Sequence, residues 1–128
     1  HKRALILGTG GASKAIAYAL KRNDIKYIFV SRNPEGRKEI SYDKLNEEII
    51  KKYAIIINST PLGTSPNVEK CPNVPYQYIS EKHILFDLIY NPATTTFLSK
   101  GKAKGATIKN GLEMLELQAE ASWRIWND

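Results

Sequence analysis

Three glycines, Gly8, Gly10 and Gly11, set between an apolar run and an alanine-rich one, have the spacing to hold a pyrophosphate. A glycine at position 8 permits a tight turn out of a strand, and Gly10 has no Cβ to keep a phosphate off the main chain. Thr9 lies between them, and Gly11 and Ala12 present backbone N–H groups at a helix start, where the partial positive charge favours an anion. The third glycine of the usual dinucleotide pattern falls at Ser13, which is small but not glycine. Any α/β protein can carry a Gly-rich turn, so its neighbours must support the reading. Ala4 to Leu7 reads as a strand, and Ile16, Ala19 and Leu20 follow at helical spacing.

The second group lies after the next strand. An acidic residue there would take a ribose 2′-hydroxyl and select NAD, but this sequence has Ser31, Arg32 and Asn33, with no acid before Glu35. A guanidinium at that place can lie against adenine and pair with a 2′-phosphate, and Arg37 or Lys38 can add a second charge. NADP is the expected cofactor. The plainer alternative makes Arg32 and Arg37 ordinary solvated loop charges.

The elements that must position these residues follow from pattern. Lys26 to Val30 reads as a strand, Lys38 to Tyr42 as a short edge strand, and Asp43 as the N-cap of a helix from about Lys44 to Lys52. Ala54 to Asn58 has the continuous apolar character of a central parallel strand covered on both faces. A proline- and glycine-rich loop spans Ser59 to Pro75; a strand covers Ile84 to Ile89, a helix about Thr95 to Lys104, and a short strand Thr107 and Ile108. A long helix is expected from Leu112 to Trp126. The alternation predicts a Rossmann-like doubly wound α/β fold: a mainly parallel sheet flanked by helices in three layers, α/β/α.

Composition narrows the functional classes. Residues 1–128 suffice for one domain, which is small for gripping both a dinucleotide and a substrate. The sequence begins with His1 and enters a strand almost at once, so we expect a domain from a longer chain. The net charge of +6 comes from scattered basic residues with no RNA-binding aromatic signature or zinc-finger spacing, which argues against a nucleic-acid partner. The single Cys71 excludes an internal disulfide and fits a reducing compartment, with the cytoplasm as the default. No apolar run approaches the roughly 20 residues of a membrane span, so no membrane partner is expected. His1 and His83 have no cysteine or carboxylate at metal spacing, and no metal is expected.

Three further strings are Asn58-Ser59-Thr60-Pro61-Leu62-Gly63-Thr64, Asp87-Leu88-Ile89-Tyr90-Asn91-Pro92, and Asn110-Gly111-Leu112-Glu113-Met114-Leu115-Glu116-Leu117-Gln118-Ala119. With the glycine turn and Ser31-Arg32-Asn33 they form an ordered set that resembles the NADP-binding domain of shikimate dehydrogenase over essentially all 128 residues. The resemblance implies NADPH-dependent reduction of 3-dehydroshikimate to shikimate, in aromatic amino-acid biosynthesis. It implies that Gly8 to Ala12 hold the pyrophosphate and that Ser31, Arg32, Asn33 and Arg37 hold the adenosine phosphate. Asn58, Thr60, Pro61 and Leu62 would line the nicotinamide side; Leu88 and Gly111 would border the ring with Met114 behind it. Tyr90 and Gln118 would reach the substrate, and helical spacing does put Gly111, Met114 and Gln118 on one face.

The sequence departs from that family in its Ser-Arg-Asn order, in Gly36 where a basic residue is usual, and in a shortened stretch after the second strand. The family's catalytic lysine and aspartate belong to an N-terminal substrate domain and match no position here, so the expectation is cofactor binding without turnover. Alternatives are a quinate or dual quinate/shikimate dehydrogenase, and a non-catalytic nucleotide-binding, redox-sensing module. A homodimer is compatible with the sequence, since a final helix carrying Trp123 and Trp126 would expose both rings.

Overall fold

The hydrophobic runs come together as a six-stranded, wholly parallel sheet. The computed structural model describes residues 2–36, 38–63, 67–89 and 94–111. In chain order the elements are β1 (Arg3–Leu7), α1 (Gly11–Arg22), β2 (Lys26–Ser31), β3 (Glu39–Ser41), α2 (Glu47–Lys52), β4 (Ile55–Asn58), β5 (Ile84–Asp87), α3 (Thr96–Ala103) and β6 (Thr107–Lys109). The sheet order is β3-β2-β1-β4-β5-β6. The connections from β1 and from β4 therefore leave in opposite directions, which opens a crevice beyond the carboxyl ends of these two central strands.

Strand alternation sorts the core into two layers. Ala4, Ile6, Ile55, Ile57 and Phe86 face α1, which buries Ile16, Ala17 and Leu20 against them. On the opposite face Leu5, Leu7, Val30, Ile56 and Leu85 meet Ile50 of α2, Phe97 and Leu98 of α3, and Val74 and Ile79 from the long connection to β5. Each fully buried leucine, isoleucine or phenylalanine stabilises the fold by about 1.5–3 kcal/mol. The expected three-layer, doubly wound architecture is thus the one observed.

Two local expectations are corrected. The second helix begins at Glu47, and its N-cap is Asn46, whose side chain accepts from the Ile49 N–H at 2.9 Å. Asp43 does not cap it, because its carboxylate accepts from the Ser41 hydroxyl and Leu45 is drawn into the core in an extended conformation. Tyr42–Lys44 forms a 3₁₀ turn instead. The strand expected to reach Ile89 stops at Asp87, whose carboxylate takes the Ile89 N–H at 3.0 Å.

The connection from β2 to β3 holds no helix among its described residues, as its length predicts. Parallel neighbours usually need a crossover of a dozen residues or more. Glu39 pairs with Phe29, so the chain has only to drop back two strand positions from Ser31. The expected helix at Leu112 to Trp126 lies outside the described residues.

His83, at the entry to β5, is 3 % exposed. Its Nδ1 accepts from the Ser80 N–H at 3.1 Å, and its Nε2 meets the Ile50 carbonyl in the last turn of α2 at 2.7 Å. The ring ties a helix end, whose carbonyls lack intrahelical partners, to the sheet. His83→Ala leaves both groups without that partner, and the expected loss is about 2–4 kcal/mol, read as a lowered urea midpoint with an unchanged slope.

Candidate functional site

A cleft of about 590 Å³ opens beyond the ends of β1, β2 and β4. Its inner wall is Gly8, Thr9 and Gly10; one side is Val30 to Asn33 with Tyr42, and the other is Ser59 to Leu62 with Cys71 and Asn73. The sequence-chosen residues Gly8, Thr9, Gly10, Ser31, Arg32, Asn33, Thr60, Pro61 and Leu62 are therefore brought together, although they come from three separate loops.

Gly8 shows why a glycine is needed at the strand end. Its φ is +112°, a conformation that L-residues with a Cβ rarely adopt, and a Cβ there would stand 2.8 Å from the Ser59 hydroxyl. Ser59 is held in place by donating its N–H and its hydroxyl to the Leu7 carbonyl at 3.0 and 2.7 Å. Around Gly10 and Gly11 the situation is opposite: a Cβ at either would meet no protein atom within 4 Å. Their smoothness keeps space open at the start of α1, where the first-turn N–H groups of Gly11 and Ala12 have no intrahelical acceptor. Ser13, in the third-glycine position, is fully buried and donates to the Gly10 carbonyl at 2.5 Å, which braces the turn.

Electrostatics on the β2 side come from Arg32. It is the only cation lining the cleft among the described residues, and no carboxylate lines it. Lys38 turns away, its Nζ 4.5 Å from the centre of the Tyr27 ring on the α1 face. Arg37 lies outside the described residues. Burial pushes the Tyr42 phenol above its ordinary pKa, while the nearby Arg32 guanidinium pulls it down.

The β4 and β5 ends are joined by a buried polar network. Asn58 and Asp87 are paired in register and both fully buried. The Asn58 amide donates to Asp87 Oδ1 at 3.2 Å, and its Oδ1 accepts from the Thr60 N–H at 3.0 Å and the Thr60 hydroxyl at 2.6 Å. Thr95 donates its hydroxyl to Asp87 Oδ2 at 2.7 Å and accepts from the Leu98 N–H at 3.2 Å, capping α3. Asn58 thus shapes the Thr60 to Leu62 wall from beneath, with its own side chain removed from the cleft surface. Burial pushes the Asp87 carboxyl above the usual carboxylate range, opposed by the hydrogen bonds from Thr95, Ile89 and Asn58.

Leu88 and Gly111 are also brought together. A Cβ on Gly111 would lie 1.9 Å from the Leu88 carbonyl oxygen, and the Gly111 N–H reaches the Ile89 carbonyl at 3.3 Å. Close backbone approach explains the glycine. Tyr90, Met114 and Gln118 lie outside the described residues.

Sequence reasoning missed Tyr42, Ser59, Cys71 and Asn73 as cleft residues and Thr95 as a member of the buried network. A threonine before a helical stretch is a capping signal, whereas nothing in the sequence around Cys71 marks it as a cleft residue. It is half-buried, and Tyr76 beside it, through burial and the Cys71 contact, has a phenol pushed far above its ordinary pKa. Among the described residues no group of three His, Cys, Asp or Glu side chains is placed to hold a metal ion. No described helix is long and apolar enough to cross a membrane.

No family model matches the chain. A curated relative, shikimate dehydrogenase (NADP(+)) of Caldicellulosiruptor saccharolyticus, is 39 % identical over 99 % of this chain and 50 % of its own length. The chain is homologous to one half of shikimate dehydrogenase. Among solved structures, shikimate dehydrogenase 1 of Peptoclostridium difficile is 42 % identical, with a TM-score of 0.75 over 99 % of this chain and 47 % of its own. A chorismate mutase/shikimate 5-dehydrogenase fusion of Clostridium acetobutylicum is 40 % identical, with a TM-score of 0.77 over 100 % of this chain and 47 % of its own. The chain thus spans about half the length of the shikimate dehydrogenases it matches.

The raised Asp87 carboxyl has a pH consequence. The folded state holds that proton more tightly than the unfolded state, so the group's contribution to stability is full below the unfolded carboxylate pKa and is lost as pH rises through the higher folded value. Relative to Asp87→Asn, which lacks this titration, the unsubstituted chain should gain stability as pH falls from 7 towards 4. Urea midpoints of both proteins at the two pH values measure this, and a difference that does not vary with pH rejects it.

Proposed function

We propose that the cleft binds NADP and that the chain is the cofactor-binding half of a shikimate dehydrogenase, which reduces 3-dehydroshikimate to shikimate. The observation that carries this is the charge pattern of the cleft: Arg32 stands on the β2 side where an NAD-selective site needs a carboxylate, and the described lining residues include none. The Gly10 and Gly11 surfaces leave room for a diphosphate at the start of α1. The curated relative's name specifies the same cofactor.

In this reading Gly8, Thr9 and Gly10, with the N–H groups of Gly11 and Ala12, hold the pyrophosphate. Ser31, Arg32, Asn33 and Arg37 hold the phosphorylated adenosine. Thr60, Pro61 and Leu62, supported by Asn58, line the nicotinamide side, bordered by Leu88, Gly111 and Met114. NADPH supplies the hydride. Tyr90 and Gln118 hold the substrate, and the proton for the developing alkoxide needs a positioned acid that we assign to no residue of this chain. We accordingly place the catalytic acid in an N-terminal substrate domain and expect residues 1–128 to bind cofactor without turnover. The single cysteine fits the cytoplasm. A quinate preference with NAD is disfavoured by Arg32, and a purely redox-sensing module by homology over the full chain.

Calorimetric titration of the chain with NADP and with NAD tests the cofactor. NADP should bind more tightly, and Arg32→Ala should bring the two towards equality by a loss of about tenfold or more in NADP affinity. Equal affinity for both in the unsubstituted chain would count against the assignment. Hydride transfer from NADPH to 3-dehydroshikimate, followed by absorbance, should be absent with residues 1–128 alone; measurable turnover would place the missing acid within them.

A further inference from the structure

We propose that the adenine of the bound dinucleotide packs on the ring of Tyr42, a proposal that rests on the cleft being the NADP site. Sheet register places this residue. Ser31 and Ser41, the last residues of β2 and β3, are paired, so Arg32 and Tyr42 leave the two strands side by side. Both line the cleft, and Tyr42 is its only aromatic ring among the described residues. In the order β3-β2-β1, a dinucleotide with its pyrophosphate at the turn after β1 and its 2′-phosphate at Arg32 after β2 already runs outward towards β3. Base and 2′-phosphate stand on neighbouring ribose carbons, so the adenine arrives beside Arg32, and the next residue outward is Tyr42.

The core holds the ring in place. Val30 and Ile40 are paired and both turn to the layer of α2 and α3. Strand alternation directs Tyr42, two residues after Ile40, to the same face, where its ring packs against the buried cluster. Tyr42 also opens the 3₁₀ turn, its carbonyl accepting from the N–H of the buried Leu45 at 3.1 Å. A half-buried ring that rests on the core and lines the cleft loses little conformational freedom on binding. A purine has a π-face that an aromatic ring can cover, and stacking of this kind needs no hydroxyl. That separates it from the other contact a tyrosine could make here, a hydrogen bond from the phenol to the 2′-phosphate.

Titration of the full chain, of Tyr42→Ala and of Tyr42→Phe with NADP and with NAD tests this. Tyr42→Ala should lose about tenfold in affinity for both dinucleotides, since both carry adenine, and keep its preference for NADP. Tyr42→Phe should bind both as the unsubstituted chain does. A second measurement uses the NADP complex of a chain whose only protonated side chains are tyrosines: adenine H2 or H8 should show a nuclear Overhauser contact to a tyrosine ring, and the contact should vanish in Tyr42→Phe. If Tyr42→Ala fails to fold, by circular dichroism, this contact and the Tyr42→Phe affinities decide. Undiminished affinity in Tyr42→Ala, a loss confined to NADP, a loss in Tyr42→Phe, or absence of the Overhauser contact overturns the assignment while leaving the cofactor reading intact. An unsubstituted chain that binds neither dinucleotide overturns both.

Discussion

The hydrogen bond between Asn58 and Asp87 is the constraint on which the rest of the site depends. It joins the last residues of β4 and β5, each fully buried, and every remaining polar atom of the pair is directed to a different loop. Asn58 fixes the backbone and hydroxyl of Thr60; Asp87 fixes the Ile89 N–H and the Thr95 hydroxyl that caps α3. A buried carboxylate costs stability unless its lone pairs are met, and here each is satisfied by a group that must stay still for the cleft to keep its shape. The network holds the loops in position at some cost in stability, the trade expected where a functional surface is built from irregular chain.

On the other side of the switch point the same result is reached by different means. Gly8 turns the chain with a positive φ, and Ser59 closes against it by giving both of its donors to the Leu7 carbonyl. The two central strands are thus stitched together just below the cleft, and Gly10 and Gly11 above them leave the helix start uncovered. Packing below and vacancy above are both consequences of small side chains, at positions only a few residues apart. Under the proposed function, both features serve the diphosphate at the switch point.

The 71–76 segment shows how a long proline-rich connection becomes part of the cleft lining. Val74 and Ile79 anchor it in the core, and Tyr76 is held edge-on to Phe97 of α3, ring centres 6.3 Å apart. With those anchors set, Cys71 and Asn73 have little choice of position. The connection lies on the sheet face opposite α1, so the cleft is walled by loops on a face whose helices, α2 and α3, are short.

By itself the sequence determined what depends on neighbours along the chain: the strand and helix order, the glycine turn at Gly8 to Gly11, the basic residue in place of an acid after β2, and the short link to β3. Hydrophobic period and backbone conformational preference are local, and they survive translation into three dimensions. The N-cap shows the limit of this, since Asp43 and Asn46 are equally good caps and the burial of Leu45 decided between them. Only the tertiary structure settled that Asn58, Asp87 and Thr95 form one network and that Tyr42, Cys71 and Asn73 line the same cleft as Gly8. Those partners are separated by up to 65 positions along the chain, and parallel strand register, together with the side chains each face can bury, brings them within reach.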